Sequence, residues 1–233
     1  MPALLNTVDP EGLEEFSVVF TDRSLNHMSA AFQGVMRDIS AMLKEVYNAE
    51  AVAVVPGGGT FGMEAVARQF ARGVDVLVVR NGWFSYRWSQ IIENGDLTGN
   101  ATVLKARMQG NSTPAPFAPC PIDEVLEAIR AQKPKVVFAP HVETSAGVIL
   151  PDDYIKQMAE AAHEVGALMV LDSIASGCAW VDMKALGIDV LISAPQKGWS
   201  ASPSAGLVMM SARAVARLAE TTSDSFAIDL GKW

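Results

Sequence analysis

Cysteine is scarce in this chain, with only Cys120 and Cys178 among 233 residues. Two cysteines are too few for a disulfide framework, and their separation matches no metal-ligand motif, so we expect two reduced thiols. Basic residues are also in deficit, with 18 Lys and Arg against 26 Asp and Glu and a net charge of −8. The chain therefore lacks the basic surface that binding to nucleic acid or to an anionic membrane requires.

Long hydrophobic runs are absent as well. No apolar stretch approaches the roughly 20 residues of a membrane-spanning helix, and the N-terminus has neither the basic start nor the apolar core of a secretion signal. We therefore expect a cytoplasmic protein. Hydrophobic residues nevertheless make up 50% of the chain, which is enough for a large core in one domain.

Apolar runs of strand length alternate with segments of helical periodicity along the chain. The predicted strands are 51–55, 74–80, 102–105, 136–139, 168–172, 189–197 and 206–210, and the predicted helices are 28–48, 60–72, 122–131, 151–166 and 211–222. This alternation predicts an α/β fold with a mostly parallel sheet and helices on both faces. Residues 1–24 show no periodicity and are predicted to form an arm that precedes a domain at 25–233.

Two of these strand runs end in a single ionisable residue, Asp172 and Lys197. The carboxyl ends of neighbouring parallel strands open onto one crevice, so a carboxylate and an amine are expected to face the same cavity. Pyridoxal phosphate chemistry requires this pair, because the amine forms a Schiff base and the carboxylate keeps a proton on the pyridine nitrogen. Taken singly, Asp172 also fits a helix N-cap and Lys197 a surface lysine.

A glycine-rich segment, Gly57-Gly58-Gly59-Thr60, lies between a predicted strand and a predicted helix. Glycines let the backbone approach an anion, and the N–H groups at the start of the helix point towards it. The segment lacks the Lys-Ser/Thr of a P-loop and the spacing of a dinucleotide fingerprint. Phosphate binding and a plain tight turn with Thr60 as N-cap both remain open.

Two further segments follow predicted strands. Residues 81–88 are rich in aromatics in a chain with only 7% aromatic residues, and they fit either a stacking face for a ring or a packing patch at a helix start or subunit contact. In the segment 141–147, Thr144 is a candidate donor to a ligand oxygen, and Ser145 fits the turn. His141 and Glu143 lack a further spaced ligand, so no metal site is predicted.

Taken together, these segments resemble the class V aminotransferases of pyridoxal-phosphate fold type I, in particular the alanine–glyoxylate and serine–glyoxylate (serine–pyruvate) group. The resemblance runs from about Leu25 to about Met210. The segments that carry it are Asn26-His27-Met28-Ser29, Gly57-Gly58-Gly59-Thr60, Asn81-Gly82, Glu143-Thr144-Ser145-Ala146-Gly147, Asp172-Ser173-Ile174-Ala175-Ser176 and Gln196-Lys197-Gly198. Their order along the chain makes the resemblance specific.

The resemblance implies a role for each matching residue. Lys197 would form the Schiff base with pyridoxal 5′-phosphate and then move the substrate proton, and Asp172 would pair with the protonated ring nitrogen. Phe84 and Ile174 would cover the two faces of the ring. The remaining cofactor contacts would come from Gly58, Gly59, Thr60 and Gln196 at the phosphate and from Thr144 near the phenolic oxygen.

The activity implied is amino transfer between a small L-amino acid, alanine or serine, and a 2-oxo acid, glyoxylate or pyruvate, in a homodimer. The chain departs from the family in carrying Thr7-Val8-Asp9-Pro10 at the usual Pro-Gly-Pro and in lacking the C-terminal small domain. A large cofactor-binding domain without its small domain is therefore expected.

Three alternatives remain. Gly59-Thr60-Phe61 is also similar to a segment of the 2-aminoethylphosphonate–pyruvate aminotransferases. Gln196 before the lysine makes that family the second choice. Cysteine desulfurases share the fold, but they carry His before the lysine and stack a His on the ring, where this chain has Gln196 and Phe84. The third alternative is a non-enzymatic α/β module that binds another phosphorylated ligand.

Overall fold

The computed structural model describes residues 29–233. The chain divides into two compact units, residues 1–42 and 43–233. The predicted arm at 1–24 and most of the segment 26–29 lie outside the described residues. Within the described part of the chain, no helix is both long enough and apolar enough to cross a membrane.

A seven-stranded sheet forms the centre of the unit at 43–233. Its strands are β1 (Ala51–Pro56), β2 (Val76–Arg80), β3 (Ala101–Lys105), β6 (Val136–Pro140), β9 (Leu168–Asp172), β10 (Val190–Ser193) and β11 (Ala205–Met210). Two small hairpins pair β4 (Arg107–Met108) with β5 (Phe117–Ala118) and β7 (Val142–Glu143) with β8 (Val148–Ile149). The strand order in the large sheet is β1-β11-β10-β9-β6-β2-β3.

All the neighbouring pairs of this sheet are parallel except those that β11 makes. Strand β11 runs antiparallel to both β1 and β10. Strands β1 and β10 are therefore parallel to one another, and every strand but β11 has its carboxyl end at one edge of the sheet. The mostly parallel sheet predicted from the sequence is confirmed.

Helices cover both faces of the sheet. They are α2 (Gly59–Phe70), α3 (Trp83–Asn94), α4 (Ile122–Gln132), α5 (Asp152–Glu164), α6 (Met183–Leu186) and α7 (Ala212–Leu218), followed by a 3₁₀ turn at Leu230–Lys232. Helix α1 (Ala30–Tyr47) precedes β1 and begins in the unit at 1–42. Val78, Phe138 and Ile192 are buried in one core with residues of α2 and α3. Because side chains alternate along a strand, Val137 and Met169 face the opposite side, where α5 packs on β9.

The end of strand β10 differs from the sequence prediction, and this difference changes the position of a candidate site residue. The run 189–197 was predicted as a strand reaching Lys197, but β10 ends at Ser193 and a turn follows. Pro195 has no backbone N–H to donate to a neighbouring strand, so it cannot continue the ladder. Lys197 therefore lies on a turn beyond the strand, and its backbone N–H donates to the carbonyl oxygen of Ala194.

Asp189 has a structural position at the opposite edge of the sheet. Its buried carboxylate accepts from the Met169 N–H at 2.9 Å, the Ser211 hydroxyl at 2.9 Å and Arg213 Nε at 3.2 Å, and it lies 2.9 Å from His163 Nε2. Burial raises the pKa of this carboxyl, but the bonds from His163 and Met169 outweigh it and hold the pKa below its usual value. The carboxylate thus ties together β9, α5 and α7 far from the candidate site.

Candidate active site

The carboxyl ends of the parallel strands meet at one edge of the sheet, and the segments that follow them form the candidate site. These segments are 57–60 after β1, 81–84 after β2, 141–147 after β6, 173–176 after β9 and 194–204 after β10. In open α/β sheets this edge is where ligands bind. The fold therefore brings to one edge all the segments that the sequence singled out within residues 43–233.

Asp172 is the last residue of β9, and its side chain is only 8% exposed. Its Oδ1 accepts a hydrogen bond from the Ile174 N–H at 3.0 Å. Burial raises the pKa of the carboxyl to about 6, and the Ile174 bond and the charge of Arg87 offset that effect only in part. A buried carboxyl with a raised pKa fits a ligand that brings a cationic N–H, because such a group restores the ionised form.

The N-terminus of α2 faces the same edge. Gly58, its N-cap, is extended and makes no side-chain capping bond, so the first backbone N–H groups of the helix are available to a ligand. Gly59 is buried against Ile174, and a Cβ at this position would lie 2.6 Å from Ile174 Cδ1. A larger residue here would displace the Ile174 side chain, so the glycine lets the start of α2 lie directly beside the residues that follow Asp172.

The N-terminus of α3 is capped from another segment of the chain. The buried carboxylate of Glu143 accepts from the Phe84 N–H at 3.0 Å, the Ser85 N–H at 2.9 Å and the Ser85 hydroxyl at 2.6 Å. Ser145 Oγ accepts from the Trp83 N–H at 2.8 Å and donates to Glu143 at 2.5 Å. The segment after β6 thus fixes the position of the first turn of α3.

These bonds also set the ionisation of Glu143. Burial raises the pKa of its carboxyl, but the hydrogen bonds from Ser145, Ser85 and Phe84 together outweigh burial and hold the pKa below its ordinary value. A carboxylate at a helix N-terminus also interacts favourably with the helix dipole. Glu143 is therefore an ionised positioning residue for Phe84, a role that the sequence did not suggest.

We expect Glu143→Gln to destabilise the protein by about 2–4 kcal/mol at neutral pH. An amide has one acceptor oxygen instead of two, so its NH₂ would face the N–H of Ser85 or Phe84 and leave that buried donor unsatisfied. Because the pKa of Glu143 is lowered in the folded state, its contribution is present above the unfolded pKa and is lost as the pH falls through the folded pKa. Urea unfolding as a function of pH measures both effects.

The matched control is Glu127→Gln, on the exposed side of α4. This exposed substitution is expected to change the free energy of unfolding by less than about 0.5 kcal/mol. Equal stability of the two variants at neutral pH would contradict the capping role of Glu143.

Phe84 and Thr144 are both adjacent in sequence to residues of this cap. The Phe84 ring is 37% exposed, and the guanidinium carbon of Arg87 lies 5.6 Å from its centroid. Thr144 is exposed in the turn that joins β7 to β8. Both residues are thus beside the same sheet edge as Asp172, with side chains accessible to a ligand.

Gln196 and Lys197 lie on the turn after β10, and both are exposed. The expectation that a buried strand delivers Lys197 is therefore wrong, because the strand ends four residues earlier. A close approach of Gly198 to the backbone carbonyl of Gly177 holds this turn against the segment that follows Asp172, and a Cβ at position 198 would clash there. The lysine turn and the Asp172 segment are thus packed against one another.

An aromatic cluster further supports the lysine turn. Trp199 packs on Trp180 with ring centroids 4.9 Å apart, and Tyr47 meets both rings edge-on at 6.1–6.2 Å. The Tyr47 hydroxyl also donates to Ser193 Oγ at 3.3 Å, at the end of β10. These contacts connect the turn after β10 with the segment after β9.

The side chains at this edge fit a phosphorylated, cationic ring better than a metal ion. Asp172 provides a carboxylate for a ring N–H, α2 provides free N–H groups for a phosphate, and Phe84 and Ile174 provide apolar surface. Within residues 29–233, no group of three or more His, Cys, Asp or Glu side chains is arranged to hold a metal ion. Pyridoxal 5′-phosphate satisfies each of these features.

Comparisons with known proteins agree with this description. The pattern of the family "Aminotransferase class-V" matches residues 13–229. The chain is 30% identical over 212 residues to a soluble hydrogenase small subunit of Synechococcus sp. (strain PCC 6716), covering 90% of this chain and 53% of that protein. It is also 30% identical over 212 residues to the alanine–glyoxylate aminotransferase of Callithrix jacchus, covering 88% of this chain and 48% of that enzyme.

A similar solved structure is the ureidoglycine–glyoxylate aminotransferase of Bacillus subtilis, with a TM-score of 0.77 and 26% identity over 92% of this chain and 53% of that one. The chain thus spans about half the length of the relatives it matches. The sheet order, the residues at its carboxyl edge and the family pattern lead to one conclusion. The chain belongs to the class V aminotransferases, a family whose cofactor is pyridoxal 5′-phosphate.

Proposed function

We propose that this chain is the cofactor-binding part of an aminotransferase that moves an amino group between a small L-amino acid, alanine or serine, and a 2-oxo acid, glyoxylate or pyruvate. The observation that carries the proposal is the buried carboxyl of Asp172 beside the glycine-led N-terminus of α2. A carboxylate and an anion-binding helix start, held together by the contact of Ile174 with Gly59, match the two ends of a phosphorylated pyridine ring.

The binding roles in the proposed mechanism follow from the residues at the edge. Asp172 holds the proton on the ring nitrogen, and ionised Asp172 keeps that nitrogen cationic. The N–H groups of α2 with Thr60 and Gln196 bind the phosphate. Ile174 and Phe84 cover the two faces of the ring and exclude water from it. The bound cofactor supplies an electron sink for the electrons released at the substrate Cα.

Lys197 has two roles in this proposal. Its amine would hold the cofactor covalently, and once free it would carry the proton between the substrate Cα and C4′ of the cofactor. A lysine on an exposed turn packed against the Asp172 segment has room for both tasks. Thr144 would hydrogen-bond near the cofactor's phenolic oxygen.

The relatives support glyoxylate as the amino acceptor. Both the Callithrix jacchus enzyme and the Bacillus subtilis enzyme carry glyoxylate in their names, whereas their amino donors, alanine and ureidoglycine, differ. We therefore infer glyoxylate as the first acceptor to test and a small amino acid as the donor. The acidic net charge gives no reason to expect a polyanionic substrate.

A homodimer is part of the same proposal. Trp83, at the start of α3 beside Phe84, is 65% exposed despite its large apolar ring, and exposed aromatics next to a site are common at subunit contacts. Sedimentation equilibrium of the holoprotein distinguishes a dimer from a monomer.

The test is a half-reaction screen. The chain is loaded with pyridoxal 5′-phosphate, single amino acids are added, and the absorbance of the lysine-bound cofactor is followed. We expect alanine or serine to abolish that absorbance and glyoxylate or pyruvate to restore it. Conversion by 2-aminoethylphosphonate alone would favour the second candidate, to which Gly59-Thr60-Phe61 also points. No conversion by any amine, with cofactor bound at Lys197, would contradict amino transfer.

A further inference from the structure

Arg87, on the second turn of α3, is a residue of the site that the sequence did not identify. Its Nη1 donates a hydrogen bond to Thr60 Oγ1 at 3.0 Å, across the gap between the start of α3 and the start of α2. The same guanidinium lies over the Phe84 ring, with its carbon 5.6 Å from the centroid. Arg87 therefore contacts one residue expected at the phosphate and one expected at the ring.

The charge of Arg87 is not neutralised by an acidic neighbour. Arg68 on α2 forms ion pairs with Glu64 and Asp224, but among residues 29–233 no carboxylate lies within ion-pair distance of Arg87. The positive charge of Arg87 also favours the ionised form of Asp172 and lowers its pKa. A cation that contacts the start of α2 and has no counter-ion of its own can act on an anionic ligand there.

The hydrogen-bonding capacity of the Thr60 hydroxyl determines how Arg87 can affect an anionic ligand. A guanidinium has only donors, whereas a hydroxyl has one hydrogen to donate and two lone pairs to accept with. In the bond with Arg87, Thr60 must therefore accept, and its own hydrogen stays free for another acceptor. A hydroxyl that accepts from a cation is polarised and becomes a stronger donor. Thr60 is also the second residue of α2, where the helix end favours anions.

We propose that Arg87 is a positioning residue for phosphate recognition, which orients and polarises the Thr60 hydroxyl so that it donates to the phosphate ester of the cofactor. This role rests on the proposed function, because it requires pyridoxal 5′-phosphate to bind with its phosphate at the start of α2. It gives the chain a means to select the phosphorylated cofactor over pyridoxal through two side chains from different helices.

The test is a double-substitution cycle with two probes, pyridoxal 5′-phosphate and pyridoxal, titrated against the unsubstituted protein, Arg87→Gln, Thr60→Val and the double variant. Each single substitution is expected to weaken binding of pyridoxal 5′-phosphate by about tenfold to a hundredfold, as expected for loss of a hydrogen bond to a charged group. Binding of pyridoxal is expected to change much less, because only the contact of Arg87 with Phe84 and its charge near Asp172 act on the ring. The double variant is expected to bind no more weakly than the weaker single variant, because both substitutions break the same relay.

Two controls separate this role from a general loss of structure. Thr60→Ser keeps the hydroxyl and is expected to retain the preference for pyridoxal 5′-phosphate, and Arg130→Gln removes an exposed guanidinium on α4 and is expected to leave both affinities unchanged. Thermal unfolding of each cofactor-free variant reports on the fold. Thr60→Ser and Thr60→Val keep the comparison interpretable even where Arg87→Gln unfolds.

Each of four results would overturn the relay. Losses that add in the double variant would mean that Arg87 and Thr60 contact the phosphate independently. Equal weakening of pyridoxal and pyridoxal 5′-phosphate would place the effect away from the phosphate. Unchanged phosphate preference in Arg87→Gln, with cofactor still bound at Lys197, would mean that Arg87 takes no part in phosphate recognition. Failure of the unsubstituted protein to bind pyridoxal 5′-phosphate at all would contradict the proposed function and the relay with it.

Discussion

Lys197→Ala is expected to abolish covalent attachment of pyridoxal 5′-phosphate and to lower amino transfer by at least about a thousandfold. The substitution removes both the amine that holds the cofactor and the base that moves the substrate proton, and a positioned proton-transfer group alone contributes a hundredfold to ten-thousandfold. Borohydride reduction followed by peptide mapping measures the attachment. In the unsubstituted protein the label is expected on Lys197.

The fold should tolerate this change, which makes the result interpretable. Lys197 is exposed on a turn, and exposed substitutions usually alter the free energy of unfolding by less than about 0.5 kcal/mol. Lys156→Ala, an exposed lysine on α5, is the matched control and should keep both label and activity. A reducible adduct that persists in Lys197→Ala would refute the assignment of the attachment site.

Most strands of the sheet could be predicted from the sequence because each is encoded locally. Leu168–Asp172 is a run of buried apolar residues that ends in a charge, and the structure has a strand at these same residues. Patterns of this kind also located β1, β2 and β6 to within two residues at each end. Parallel order then follows from the alternation of strands with helices, without knowledge of any single contact.

The site was less predictable because its contacts join distant segments. Glu143 caps a helix that begins 60 positions earlier in the chain, at Trp83, and nothing near Glu143 in the sequence indicates this partner. Arg87 reaches Thr60 on a different helix for the same reason. The sequence around a charged residue on a helix does not indicate whether its side chain is solvated or contacts the start of a second helix. The position of Lys197 was also misjudged, although Pro195 gave a local signal that the strand had ended.

Asp172→Asn is expected to have opposite effects on stability and on cofactor use. The raised pKa of about 6 means that the ionised carboxylate is disfavoured in the folded, cofactor-free protein relative to the unfolded chain, whose value is 3.8. At 1.36 kcal/mol per pKa unit, ionised Asp172 costs about 3 kcal/mol of stability. Asn keeps the acceptor for the Ile174 N–H without the charge, so the cofactor-free variant should be the more stable protein at neutral pH.

The sign of this effect gives it a distinct pH dependence. Below the unfolded pKa of 3.8 Asp172 is protonated in both states, so the two proteins should be equally stable. As the pH rises from about 3.8 to about 6, the unfolded chain ionises while the folded carboxyl stays protonated, so the unsubstituted protein loses stability relative to the Asn variant. Above about 6 the difference is constant. Urea unfolding of the cofactor-free proteins at several pH values measures the curve. The stability cost is consistent with a residue kept for binding a cation.

Addition of the cofactor should reverse the order of stability of the two proteins. An ionised Asp172 pairs with the ring N–H, whereas Asn does not hold that nitrogen protonated, so affinity should fall by about tenfold to a hundredfold and amino transfer by about a hundredfold to a thousandfold. Pyridoxal 5′-phosphate should accordingly stabilise the unsubstituted protein more than the variant. Equal stabilisation of both, or equal cofactor-free stability at every pH, would mean that Asp172 is a structural carboxyl, and its part in the proposed site would have to be abandoned.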